Sequence, residues 1–390
     1  MTAGPLKGIR ILDFASFIAG PYASSILAEM GADVIKIEPP QGDLARAWSP
    51  FIGGESRYFQ AWNRSKRSIV LDLTDASSRP VLAALVKSAD VVVENFRNGV
   101  TAKLGIDYPA LRPGNERLIY CSSTAFGSQG PWRTRPGYDP VLQCLGGAAR
   151  ANERFNGGAT GICSVAVSDY QAAMLLSTAI CAALYHRERT GQGQFIETSL
   201  LQAVMSVQSH HYIEPLDQPE EGAVGIYPYR LFKTRDDAIF VAGGTDKFWR
   251  LLCQALGLDW LGTGERFSTN ARRVNLAAEL NAILEPAFLA GLSADFERDL
   301  IAAGVPCGSV KDYHDFFNSE QVTAMGMNPV IDHATAGRLR VCGLAADFSA
   351  TPGAIQRPAP RLGEHTDEVL AEFGYSVEEI ASLRLRGAVR

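Results

Sequence analysis

The sequence predicts an α/β protein: a large domain built on a parallel sheet, joined to a smaller α+β domain. Two observations predict it. Strand, helix and strand follow one another within the first 40 residues, and short apolar runs go on alternating with helical stretches as far as His211. A βαβ unit must pair its strands in parallel, because the crossover returns the chain to the same end of the sheet. After a turn-rich stretch, "EPLDQPEEGAVGIYP" (214–228), the pattern changes to one strand and several amphipathic helices.

Ile9–Phe14 reads as the first strand. Gly20–Met30 reads as a helix, with Pro21 suited to the first turn and Gly31 as the stop. Asp33–Ile37, Ser68–Leu73, Val91–Glu94 and Leu118–Ser122 are further strands, and Ala76–Ser88 is a helix. Tyr170–Arg189 is a long helix closed by "TGQGQ", followed by a strand over Gln194–Ser199 and a helix over Leu200–His211. Ala238–Ala242 opens the smaller domain, whose helices run through Ala303. Gly304–Val310, "GVPCGSV", is expected to carry the chain back out. The expected divisions are 1–213, a linker at 214–227, a small domain at 228–325, and a return over 326–390 with two C-terminal helices. Ligands of open α/β sheets gather beyond the carboxyl ends of the strands, so the turns "ENFRNG" and "SSTAFGSQGPW" are where binding residues are expected.

Composition excludes several classes. A net charge of −5 argues against a nucleic-acid or membrane-surface partner. Seven cysteines without a CxxC pair fit neither a disulfide framework nor a zinc site, and they suit the cytoplasm. "MTAGPLKGIRILDF" has no signal-peptide pattern. The apolar run Ala172–Leu184 falls short of the ~20 residues of a membrane span and reads as a core helix. The turn "ASFIAGPYA" lacks the GxGxxG that a dinucleotide pyrophosphate needs. GxxxxGK[ST], GxSxG and HExxH are absent as well. His210 and His211 read as a polar helix end, and His365 as a cap or brace for the C-terminal helix.

One carboxylate remains to be explained: Asp169 in "SVAVSDYQAAM", just ahead of the long apolar helix. Propensity favours a cap, from Ser168 or Asp169. Three features favour chemistry. The helix dipole favours an anion there, the small residues Ser164, Ala166 and Ser168 leave room for a ligand, and apolar flanks limit hydration of the carboxylate.

At this point the chain resembles the class III CoA-transferases, the formyl-CoA transferase and carnitine CoA-transferase (CaiB/BaiF) family. The resemblance rests on "LDFASFIAGPYASSILAEMGADVIKIEPPQGD", "NRSKRSIVLDL", "ADVVVENFRNGV", "FGSQGPWRTRPGYDPVLQCLGG", the Asp169 segment, "RTGQGQFIETSL", "GVPCGSV" and "PRLGEHTDEVL", in that order over essentially the whole chain. It implies a Rossmann-like large domain, a smaller α+β domain and an interlocked homodimer. It implies no permanently bound cofactor, with coenzyme A entering as the acyl-CoA donor and a small organic acid as the acceptor. Asp169 then matches the family's catalytic aspartate.

Coenzyme A contacts carry over onto Phe17 and Ala19, Leu71, Asn95 and Phe96, Lys103, Tyr138 and Asp139. Arg64, Lys66, Arg67 and Arg97 join Lys103 as basic candidates for the phosphates, and Gly243 and Gly244 as glycines near an oxyanion. The chain departs from the relatives that the resemblance implies: Pro39 stands where some members carry an arginine, Ile18 where the formyl-CoA enzymes place a glutamine, and "EEGAVGIYP" where those enzymes have a glycine-only loop. The resemblance thus carries the reaction class rather than the oxalate and formyl-CoA specificity. α-Methylacyl-CoA racemases share the fold but place a histidine where this chain has Tyr138, and a phenol of ordinary pKa ~10 is a weak base at neutral pH. A non-catalytic CoA-binding protein is the third alternative, and it has no use for a nucleophile at Asp169.

Overall fold

The opening βαβ unit forms as its sequence dictates. In a computed structural model that describes residues 4–154, 158–217 and 225–390, β1 (Arg10–Asp13), α1 (Ala19–Glu29) and β2 (Asp33–Glu38) fold with Arg10 opposite Asp33 and Leu12 opposite Ile35. Four more strands follow: β3 (Arg67–Val70), β4 (Val91–Glu94), β5 (Ile119–Thr124) and β6 (Phe195–Ser199). All six lie parallel, in the order β3-β2-β1-β4-β5-β6. The strand order reverses between β1 and β4, and a crevice opens at such a switch point.

Both faces of the sheet are covered. Successive residues of a strand point to opposite sides, so Ile11 and Leu12, each fully buried, enter different cores. Leu12, Ile35, Val92 and Tyr120 pack against Leu82 and Leu85 of α2 (Arg79–Ser88) and against Val369, Leu370 and Ile380 near the C-terminus. Ile11, Val34, Val91 and Ile119 pack against α1 and against the long helix Val167–Thr190. That helix is long and apolar enough to cross a bilayer by composition alone. Here Ala173, Leu176, Ile180 and Ala183 are instead buried in the core. Gly191, at φ 75°, ends it as "TGQGQ" implies, because a left-handed residue without Cβ turns the chain out of the helix.

The chain divides into two compact units. One comprises 1–153, 160–212 and 323–390; the other comprises 154–159 and 213–322. The second unit holds an antiparallel sheet of Tyr229–Lys233, Ala238–Ala242 and Cys307–Ser309 around Phe232, Trp249, Leu252 and Phe288. Two expectations are corrected. "GVPCGSV" does not simply lead the chain out: Cys307–Ser309 pairs with Ala238–Ala242 as an edge strand. The helix expected over Leu200–His211 stops at Val207, and a separate short turn covers Ser209–Tyr212. Residues 218–224 of the expected linker lie outside the described residues.

Candidate active site

The crevice expected at the switch point is present. A cavity of about 610 Å³ is lined by Phe17, Ile18 and Ala19 after β1, by Asn95, Phe96 and Arg97 after β4, and by Ser123 and Thr124 at the end of β5. The turn after β1 is held tightly. Asn95 clasps it from both sides: its Oδ1 accepts from Ser16 N–H (2.8 Å) and its Nδ2 donates to Ser16 O (2.7 Å). Phe17 adopts φ 66°, a left-handed conformation that costs a non-glycine residue about 1–3 kcal/mol. Its N–H donates to Asp43 Oδ1 (3.3 Å). Its ring lies 5.0 Å from that of Trp48 and 5.9 Å, edge to face, from that of Tyr138.

Asp169 lines the same cavity with Tyr138, Asp139, Cys163, Ser164 and Ala166. The cap expected from Ser168 or Asp169 is not made. The cap position is Ala166, which has no side-chain bond to offer, and Asp169 sits in the first turn. Ser168 leaves no room for a ligand: it is fully buried, and both its N–H and its hydroxyl donate to Asp139 Oδ1, each at 2.7 Å. Nor does the helix terminus win the electrostatic contest at Asp169. Burial, and then the charge of Asp139, push its carboxyl up to about 7. Desolvation and a like charge outweigh the dipole, which is worth a few tenths of a kcal/mol to about 1 kcal/mol at a helix end. The outcome is a half-buried carboxylate of raised basicity facing a cavity.

Phe17, Ala19, Asn95, Phe96, Tyr138, Asp139 and Asp169 thus come together around one space. Leu71 and Lys103 lie outside its lining. Leu71 is 1% exposed within the sheet core, and Lys103 stands exposed on the short helix Val100–Leu104. Three of the basic candidates are consumed elsewhere. Arg64 pairs with Glu29 (2.8 Å), Lys66 with Asp13 (2.7 Å), and Arg67 with Asp33, Glu368 and Glu372. Gly243 N–H donates to Pro228 O (2.9 Å), which removes it as an oxyanion donor.

The family is decided by the sequence. The pattern described as "CoA-transferase family III" matches residues 6–366. The chain belongs to CoA-transferase family III. It is 37% identical to the succinate–glutarate CoA-transferase of Agrobacterium fabrum over 383 residues, covering 95% of this chain and 96% of that one. It is 33% identical to the human succinyl-CoA:glutarate CoA-transferase, over 99% of this chain and 90% of that one. A crystal structure of a CaiB/BaiF family protein from Brucella suis superposes with a TM-score of 0.82 at 34% identity, covering 95% of this chain and all of that one.

Sequence reasoning missed several residues that this family III chain brings to the cavity. Trp48, Arg133 and Arg135 line it alongside Arg97. Arg135 stands 5.5 Å from the Phe126 ring centre and 5.3 Å from that of Trp132, so its guanidinium is held by two aromatic faces. The signal for the arginines lies in "GPWRTRPGYDP", which sets two of them in a turn just before Tyr138.

Proposed function

We propose that the protein moves coenzyme A from an acyl-CoA thioester to a free carboxylic acid, with Asp169 as the covalent nucleophile. The observation that carries this reading is a carboxylate of raised basicity, with no ion pair or hydrogen bond among the described residues, lining the cavity at the switch point. Membership of family III supports it. Arg97, Arg133 and Arg135 supply positive charge to the cavity of a protein of net charge −5, where an anionic cofactor needs it.

The steps balance without an outside reagent. The Asp169 carboxylate attacks the thioester carbonyl; the C–S bond breaks, and a mixed anhydride and a CoA thiolate form. The thiolate attacks the Asp169 carbonyl, which releases the donor acid as a carboxylate and leaves an aspartyl-CoA thioester. The acceptor carboxylate then displaces the thiolate to form a second anhydride. The thiolate takes the acceptor's acyl group, and the Asp169 carboxylate is restored. Serine or cysteine has no carbonyl of its own to hold coenzyme A in this way. An ionised Asp169 is required at the outset, and a group poised near 7 is both available and basic at neutral pH.

The acceptor is a small organic acid, a dicarboxylate in the first instance, because the relatives are named for succinate and glutarate. The protein works as an interlocked homodimer, as the family resemblance implies. The cytoplasm is the proposed compartment, in keeping with seven cysteines that are all free. The test is an exchange assay with succinyl-CoA and a panel of acids: glutarate, mesaconate, citramalate, oxalate and aromatic acids. Transfer by the wild type that Asp169→Ala abolishes supports the reading. Undiminished transfer by Asp169→Ala refutes it.

A further inference from the structure

Asp169 itself carries no hydrogen bond among the described residues, so its aim must come from its neighbours. Tyr170 is fixed on one side, its hydroxyl accepting from Trp62 Nε1 (3.0 Å). Ser168 is fixed on the other by Asp139. Asp139 is 3% exposed and opens the helix Asp139–Leu145; its second oxygen accepts from Gln143 Nε2 at 2.6 Å, one turn along that helix. Gln143 is locked in turn. Its Oε1 accepts from Cys163 N–H (2.8 Å), and its Nε2 also reaches Cys163 O (3.0 Å) and Val165 O (3.4 Å). The whole approach to the catalytic helix, from Cys163 to Ser168, is thereby stitched to two side chains.

We propose that Asp139 is the positioning residue of the nucleophile: it caps the Asp169 helix from outside that helix, and it presents its negative charge to Asp169 across the first turn. This rests on the reading of Asp169 as nucleophile and assigns Asp139 a role other than contact with coenzyme A. The helix leaves its early N–H groups without partners of its own, and Ala166 cannot supply one. Asp139 supplies it, and with the same carboxylate opposes ionisation of Asp169. A more basic carboxylate is a stronger nucleophile once ionised. The other ionisable groups facing this space are Tyr138, Cys163, Arg97, Arg133 and Arg135 in the cavity, with Tyr170 beside Asp169 and Tyr22 of α1 meeting the Tyr170 ring edge to face. Of the influences on Asp169, burial comes first and the Asp139 charge second, and both oppose ionisation.

The test is the pH dependence of covalent-enzyme formation in a single turnover with acyl-CoA. Asp139→Asn and Asp139→Ser both remove the charge, and the two together guard against misfolding of either. In the wild type the rate should rise with pH through about 7. In both neutral variants this limb should move down by roughly one unit, because the like charge is gone, and the plateau rate should fall. Gln143→Ala keeps the charge and loses the brace, so its plateau should fall without a downward move of the limb. A limb that stays near 7 in both neutral variants overturns the assignment. A wild-type enzyme that forms no covalent adduct at any pH sinks the nucleophile itself, a separate failure.

Discussion

Two aspartates at the same end of the sheet, one fully buried and one half-buried, behave in opposite ways. Asp13, at the end of β1, is fully buried, and burial alone would raise its pKa. Lys66 at 2.7 Å and nearby Lys36 outweigh burial and hold it below the ordinary value, with Ser24 Oγ–H donating at 2.7 Å. Its other oxygen accepts Ala15 N–H (2.9 Å), so the network also pins the turn that leads to Phe17. Asp169 has none of these partners. Burial and the charge of a second carboxylate, Asp139, raise it instead. The difference separates a carboxylate that organises structure from one left free to react. A folded chain leaves an acid unpaired at a cost to stability, and such groups cluster at functional sites.

The comparison breaks first at Asp13. Asp13→Ala strands the fully buried Lys66 without its partner and should cost about 3–5 kcal/mol, read as a large fall in the denaturant midpoint. Asp169→Ala should do the reverse, with transfer falling by about 10³-fold or more and the midpoint held or raised. An Asp169→Ala protein as unstable as Asp13→Ala would erase the contrast.

Titration sharpens it. Asp169 has a folded pKa above its unfolded value, so between about pH 4 and 7 the folded state holds more protons than the unfolded state, and stability drains away as pH rises. The melting temperature of Asp169→Asn should therefore gain on the wild type from pH 4 to pH 8. Asp13 is the mirror image. Its stabilisation is present above the ordinary carboxylate range and is lost as pH falls through its lowered folded value. The smallest effect is expected at Ser168→Ala. It removes one of the two bonds to Asp139 and should cost about 0.5–1.5 kcal/mol in the same melts.

Much of the sheet was legible because buried parallel strands write themselves as apolar runs. Val91–Glu94 and Ala238–Ala242 fold over the residues expected of them. Cys307–Ser309 was not legible: it is three residues long, shows no alternation, and takes its partner from about 70 residues earlier in the chain. The site divides in the same way. Phe17, Asn95, Phe96 and Tyr138 followed from strand ends and ordered segments. The cap of the Asp169 helix did not, because it comes from Asp139 on another helix, and local propensity sees only neighbours in sequence. The basic candidates failed for a related reason. "RSKR" reads as a solvated run, yet Arg64, Lys66 and Arg67 each meet an acid more than 30 positions away. The left-handed Phe17 carried no signal at all, since no glycine or asparagine marks it.

The most direct test of the central claim is to trap the covalent state. The protein is incubated with acyl-CoA, treated with borohydride, and digested for mass spectrometry. Borohydride reduces an aspartyl thioester to the alcohol, so the account predicts homoserine at position 169, absent when acyl-CoA is omitted. An unmodified Asp169 in a protein that is actively transferring coenzyme A, or a mark on another residue, would contradict it.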